Sequence, residues 1–180
     1  MNYKNDYYSS YITDSPAITY NINNEEENIY KQITELFEKN RYTVFEDGME
    51  SDFSIKLSHL IKRGGNDVID AISSLIMSGK INSEAAAESL IWLAVLDDPH
   101  TYHKRLWFLE HSLNLPYLRI RDRGVIGLSY LNDARAIPFL LKAIENERYD
   151  WLKKYMQKVL EFLKSGENAN AILSEKNKPG

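Results

Sequence analysis

The chain contains no cysteine, and its 180 residues include only eight glycines and five prolines. Without thiols there is no disulfide framework, no thiolate nucleophile and no cysteine-ligated metal cluster, a composition suited to a reducing compartment. The longest apolar run is LIWLAVL, Leu90 to Leu96, far short of the roughly 20 residues that cross a bilayer. The opening MNYKNDYYSS lacks the apolar stretch of a secretory signal. These absences set the expectation of a cytoplasmic protein with no membrane partner. G-x-S-x-G, P-loop and dinucleotide-glycine patterns are also missing.

What is present is ordinary globular chemistry, 43% hydrophobic and 27% charged, in a length that suits one domain with an appended arm. The net charge of −4 is unevenly spread. Residues 1–64 carry 7 Lys and Arg against 11 Asp and Glu, whereas residues 101–164 carry 12 against 7. An acidic front and a basic rear predict a polarised surface.

Residues 1–23 are rich in Tyr, Asn and Ser, include Tyr3, Tyr7, Tyr8, Tyr11 and Tyr20, and hold a short alternating stretch, AITYNIN. They are expected to form an N-terminal arm, as a short strand or without regular structure, either strapped across the body or making a second contact. From Glu25 the pattern becomes helical, with Ile29, Ile33, Leu36 and Phe37 on one face and three glutamates at the positive end of the helix dipole. SDFSIKLSHLIKRGG resumes helical spacing through Phe53, Leu57, Leu60 and Ile61 until Gly64 and Gly65 stop it. Six more helices are predicted near 67–78, 83–96, 100–113, 117–131, 134–146 and 150–164. Their connections are so short that each helix must fold back on its neighbour. Residues 165–180 are expected to be a C-terminal tail.

The six helices repeat. Ile120, Gly124, Leu128 and Leu131 are matched 32 residues on by Leu152, Met156, Leu160 and Leu163, and 35 residues back by Ala85, Ser89, Leu93 and Leu96. The stretch IRDRGVIGLSYLNDARAIPFLLKAI resembles the HEAT-repeat family: a small residue within one helix, a short turn containing Asp133, then AIPFLLKAI opening the next, with Pro138 in a first turn where its missing N–H costs little. The match is closest over 115–164, fair back to 83 and suggestive over 25–65. The resemblance implies an all-α fold, a short right-handed α-solenoid of antiparallel helix pairs over 24–164 with its best-matched repeats at 83–164.

In such a solenoid the outward face of each second helix is left for binding. Advancing 100° per residue from Ile120, that face carries Arg119, Arg123, Ile126 and Tyr130, and in the last helix Trp151, Tyr155, Lys158 and Phe162; the earlier helix offers Glu84, Glu88, Ile91 and Val95. Tyr, Trp and Arg dominate interface hot spots. The face is therefore expected to hold another protein with an acidic surface, or else to be covered by the chain's own arm or tail. For a chain of this size inhibition is a natural mode, as an immunity or antitoxin-like protein occluding a partner enzyme, or as an adaptor. The alternative is nucleic acid on the basic and aromatic face of residues 119–162.

Chemistry is thinly represented. His100 and His103 lie three apart with His111 two turns on, but the spacing places no third metal ligand. EDGMESD lacks the ligand order of a calcium loop and reads as a solvated entry to a helix cap. The HEAT resemblance raises three enzyme groups. Iron hydroxylases of this architecture carry His-Glu pairs, absent here; nothing in the sequence points to the tetrapyrrole of a bilin lyase; HEAT-like DNA glycosylases join a basic groove to an aspartate, for which Arg119, Arg123, Lys154, Lys158 and Asp122 would be the counterparts. The expectation is a non-enzyme, with no catalytic residues, cofactor or metal. Asp133, Arg121 and Lys153 are expected to form a charge ladder between repeats.

Overall fold

The computed structural model describes residues 16–46, 49–81 and 84–176, with side chains described between 27 and 166. The protein is all-α. α1 spans Pro16–Lys39, α2 Asp52–Met77, α3 Glu84–Val95, α4 Tyr102–Ser112, α5 Leu118–Leu131, α6 Ile137–Asn146 and α7 Asp150–Lys176, with one 3-10 turn, Ala134–Ala136, before α6.

Two expected boundaries move. The stretch AITYNIN, read as a possible strand, lies inside α1. Ile18 and Ile22 continue the spacing of Ile29, Ile33 and Leu36, so one helical stripe extends back through it and outweighs the local alternation. α7 likewise runs beyond position 164 and takes in residues expected to form a tail. The remainder of the arm, with Tyr3, Tyr7, Tyr8 and Tyr11, and the last four residues lie outside the described residues.

α2 starts where the acidic loop ends. The Ser51 hydroxyl accepts from the Ser54 N–H at 3.2 Å while the Ser54 hydroxyl accepts from the Ser51 N–H at 2.9 Å, a reciprocal cap for two otherwise orphaned donors. The glycine pair interrupts α2 instead of ending it. Gly65 takes φ 54°, ψ −129°, a conformation open to glycine and strained for other residues, and the chain turns there before resuming its helix.

The two-residue junction at 132–133 is locally complete. Asn132 is left-handed (φ 49°) and returns its N–H to the Leu128 carbonyl, closing α5. Asp133 then accepts the Arg135 N–H at 2.9 Å, opening the next turn. Pro138 falls in the first turn of α6, as the sequence predicts.

α1 packs on α2. Beyond it, consecutive helices touch, α3 on α4, α4 on α5 and α6 on α7, and so do alternate ones, α3 on α5 and α5 on α7, with α2 on α4 and α4 on α6. The repeated positions fill the interior between them. Ala85, Ser89, Leu93, Ile120, Gly124, Leu128, Leu152, Met156, Leu160 and Leu163 are all buried, and Leu96 and Leu131 are half-buried at the helix ends. Each large apolar side chain among them contributes roughly 1.5–3 kcal/mol of transfer free energy.

Small residues set the approach of α5 to its neighbours. A Cβ added at Gly124 would lie 2.1 Å from Ser112 Oγ of α4. One added at Gly127 would lie 2.7 Å from Leu109 Cδ2 and 3.3 Å from the Leu90 carbonyl of α3.

The charge ladder is organised differently from the expectation. Arg121 pairs with Glu147, Nε to Oε2 at 2.8 Å and Nη2 to Oε1 at 3.1 Å, and also donates to the Leu115 carbonyl. Asp133 instead accepts from the Tyr102 hydroxyl at 2.6 Å and from its near neighbour Arg135. Lys153 joins neither pair. Asp133 is taken up within its own turn by Arg135, and the buried Glu147 is the carboxylate that meets Arg121.

Candidate functional site

α3 packs on α5 and α5 on α7. The pattern of exposure recurs at the same register in each helix. The first position, Glu84, Arg119 or Trp151, is exposed; the second, Glu88, Arg123 or Tyr155, is buried or half-buried; the third, Ile91, Ile126 or Lys158, ranges from half-buried to exposed; the fourth, Val95, Tyr130 or Phe162, is exposed.

Four large side chains on this face stay in water, with Tyr130 59%, Trp151 52%, Phe162 50% and Val95 48% exposed. Val95, Tyr130 and Phe162 hold the same register position on three helices packed in turn on one another. That concentration stands out on a surface whose isolated apolar residues would need no explanation. Tyr155 is wedged between α5 and α7. Burial lifts its phenol above the ordinary value, with a hydrogen bond to Ser129 opposing the shift.

The cations are less available than the sequence suggests. Arg119 donates to Glu84 at 3.0 Å and to Asp122 at 3.3 Å. Arg123, expected at the surface, is 8% exposed. Arg123 lies only about 60° around the helix from the buried Ile120, at the core edge of the stripe, and α5 is flanked by α3 and α7, so the packing covers it. Lys154 and Lys158 remain exposed. Of the eight residues singled out on α5 and α7, Arg119, Tyr130, Trp151, Lys158 and Phe162 are at the surface, Ile126 and Tyr155 are half-buried, and Arg123 is interior. Asp122 is turned towards Arg119, and its side chain is 14% exposed.

His100, His103 and His111 lie on α4 or immediately before it. His100 and His103 line a shallow depression with Asp70, Lys104 and Trp107, where Lys104 and Asp70 pair at 2.5 Å. His111 stacks on Trp107 with ring centroids 4.3 Å apart. No group of three histidine or carboxylate side chains placed to share a cation occurs among the described residues.

Three buried charges, Arg105, Glu110 and Glu147, escaped the sequence reading. Arg105 is 1% exposed and caps the end of α3, donating to the Leu93 carbonyl at 2.5 Å, the Asp98 carbonyl at 2.9 Å and Thr101 Oγ1 at 3.1 Å. A cation there meets the negative end of the α3 dipole. The legible trace is the spacing of Asp98, Thr101 and Arg105, which are one and two helical turns apart. Glu110 is buried on α4, where desolvation, with the nearby charge of Asp133 adding, pushes its carboxyl up to about 7 and Arg135 opposes the shift.

Glu147 goes the other way. Burial alone would raise it, but Arg121 and the backbone N–H groups of Tyr149 and Arg148 outweigh that and hold the carboxyl below its ordinary value.

No protein-family model, no curated protein and no solved structure matches the chain.

Proposed function

We propose that the chain is a non-enzymatic protein-binding module, a short right-handed α-solenoid of the HEAT-like kind that holds another protein against the outward face of α3, α5 and α7. The architectural part of this reading is supported by the contacts between alternate helices and by an exposure pattern that follows the 32- and 35-residue repeats in register. The observation that carries the functional part is the exposure of Tyr130, Trp151 and Phe162 on two helices packed against each other. Rigid rings bury much area for little lost freedom, and they pair most effectively with a partner that seals them from water.

With Arg119 held by Glu84 and Asp122, and Arg123 interior, contact is led by the rings. The partner meets an apolar row at Val95, Tyr130 and Phe162 and an acid-seeking group at Lys158. A small module of this kind acts most directly by occlusion, as in an immunity or antitoxin role. Nucleic acid on the same face draws on Lys154 and Lys158 with few further cations, which makes it the weaker reading.

The test uses the stoichiometric protein retained by the full chain from its native host at moderate salt after nuclease treatment. Trp151→Ala and Tyr130→Ala are each expected to cost about 2 kcal/mol of affinity in calorimetry, with melting unchanged. Unaltered affinity in both variants overturns the assignment of the face, and loss of all retained material with nuclease transfers it to nucleic acid.

A further inference from the structure

A second surface lies away from this face, on the hairpin of α1 and the first half of α2. The two helices are pinned together inside by Phe37 against Phe53, centroids 5.3 Å apart, and outside by Arg63 donating to Gln32 at 2.6 Å. Between them runs an open groove of about 540 Å³ whose apolar lining is Leu36, Leu60 and Ile55. Ile55 is 44% exposed, although its neighbours Phe53 and Leu57 are core residues and the rest of its own stripe is polar.

Cations predominate along the groove, three against one carboxylate. Lys39 from α1 and Lys56 and Arg63 from α2 line it, with His59 between them on α2. The one carboxylate in the lining, Glu35, is exposed and lies 4.0 Å from Lys31. This local excess of cations sits in the part of the sequence that is otherwise acidic, with 7 Lys and Arg against 11 Asp and Glu over residues 1–64. An average surface of that segment would be negative, so the groove is a departure from it.

The geometry points to a docking site for an acidic amphipathic helix of a partner protein. Two antiparallel helices leave between them a furrow that accepts the ridge of a third. The apolar side chains of the incoming helix, at positions i, i+3, i+4 and i+7, cover Leu60 and Ile55, and carboxylates along its flanks meet Lys39, Lys56 and Arg63. Nucleic acid fits less well, because the lining holds no tryptophan, tyrosine or phenylalanine on which bases could stack. The site shares no residue with the face of α3, α5 and α7 and stands or falls independently of it.

Fluorescence anisotropy on the full chain tests this. The probe is a labelled helical peptide of about 15 residues with Leu at the four apolar positions and Glu along both flanks, compared with a twin carrying Lys for Glu and with a single-stranded oligonucleotide. The Glu peptide is expected to bind at least about tenfold more tightly than the Lys twin. Ile55→Glu and Lys56→Glu are each expected to weaken it by about tenfold or more, with circular dichroism melting unchanged because both positions are exposed. Trp151→Ala is expected to have no effect on it. Equal binding of the two peptides, no binding of the Glu peptide up to about 1 mM, or insensitivity to both substitutions overturns the proposal. Tighter binding of the oligonucleotide, lost in Lys56→Glu, overturns it in favour of nucleic acid.

Discussion

Residues 84–163 and residues 16–77 are both helical, yet they are held together by different means. In the first region α3, α5 and α7 pack in turn on one another, and Ala85, Ile120 and Leu152 occupy equivalent interior positions in them. In the second, α1 and α2 form a single hairpin with an aromatic corner at one end, where Phe53 lies 5.3 Å from Phe37 and 5.4 Å from Phe45, and α2 is then redirected at Gly65. Repetition spreads stability over many similar contacts. A unique corner concentrates it in a few.

The largest expected effect follows from that concentration. Phe53→Ala empties a site that is 1% exposed and removes two ring contacts, which is expected to cost about 3–5 kcal/mol in urea denaturation. Hydrogen exchange then separates two outcomes. Loss of protection confined to α1 and the first half of α2 makes that hairpin its own cooperative unit. Equal loss in α5 makes the two regions one unit and removes the distinction between them.

In the repeating region the sharper probe is a glycine. Gly124→Ala improves helix propensity by about 1 kcal/mol but drives a methyl group to 2.1 Å from Ser112 Oγ. Ser112 is buried and donates to the Leu109 carbonyl at 2.7 Å, so it cannot swing aside without losing that bond. The clash is expected to prevail, with a net loss of about 1–2 kcal/mol after propensity is subtracted. In a Ser112→Ala background the oxygen is gone and the nearest side-chain atom is 3.3 Å away, so Gly124→Ala is expected to become neutral or stabilising. Failure of the sign to reverse would mean that the α4–α5 approach is set by the backbone and not by this contact.

Much of this was legible from spacing. The helices of residues 84–163 and their buried stripes could be placed because equivalent positions share one environment, and the Asn132–Asp133 junction could be read because its chemistry is local. The start of α1 could not, because alternation over a few residues fits a strand until it is joined to the longer stripe through Ile29 and Ile33. On the candidate face, exposure of Tyr130, Trp151 and Phe162 followed from helical geometry. The burial of Arg123 and the capture of Arg119 by Glu84 did not, because they depend on which helices stand on either side of α5. Arg105, Glu110 and the Arg121–Glu147 pair are single-use contacts with no periodic signal.

Glu110 supplies a pH-dependent probe of the same junction. Its folded value, about 7, lies above that of an unfolded glutamate. Between those values the folded state holds a proton that the unfolded state has released, so stability falls as pH rises through that interval and then levels off. Glu110→Gln keeps the shape without the charge. It is expected to be nearly neutral near pH 4.5 and stabilising by about 1–2 kcal/mol above pH 7.5. Thermal melting of both proteins across that range gives the difference curve, and a flat one would show that solvent or Arg135 already compensates the carboxylate.

The smallest effect is expected where the repeating region meets solvent. Glu84 and Arg119 hold corresponding register positions on α3 and α5 and pair at 3.0 Å, with side chains 49% and 45% exposed. Water screens such a pair, and ordering two long side chains costs entropy, so a double-mutant cycle with Glu84→Gln and Arg119→Gln is expected to give a coupling of only about 0.2–1 kcal/mol. The pair matters more for recognition than for stability. Glu84→Gln removes the shorter of the two carboxylate contacts to Arg119 while leaving Asp122 in place at 3.3 Å. If the partner presents acid to this end of the face, Glu84→Gln is expected to raise the association rate and steepen its fall with added salt. An unchanged rate would assign the whole contact to the ring-bearing end, along Val95, Tyr130 and Phe162.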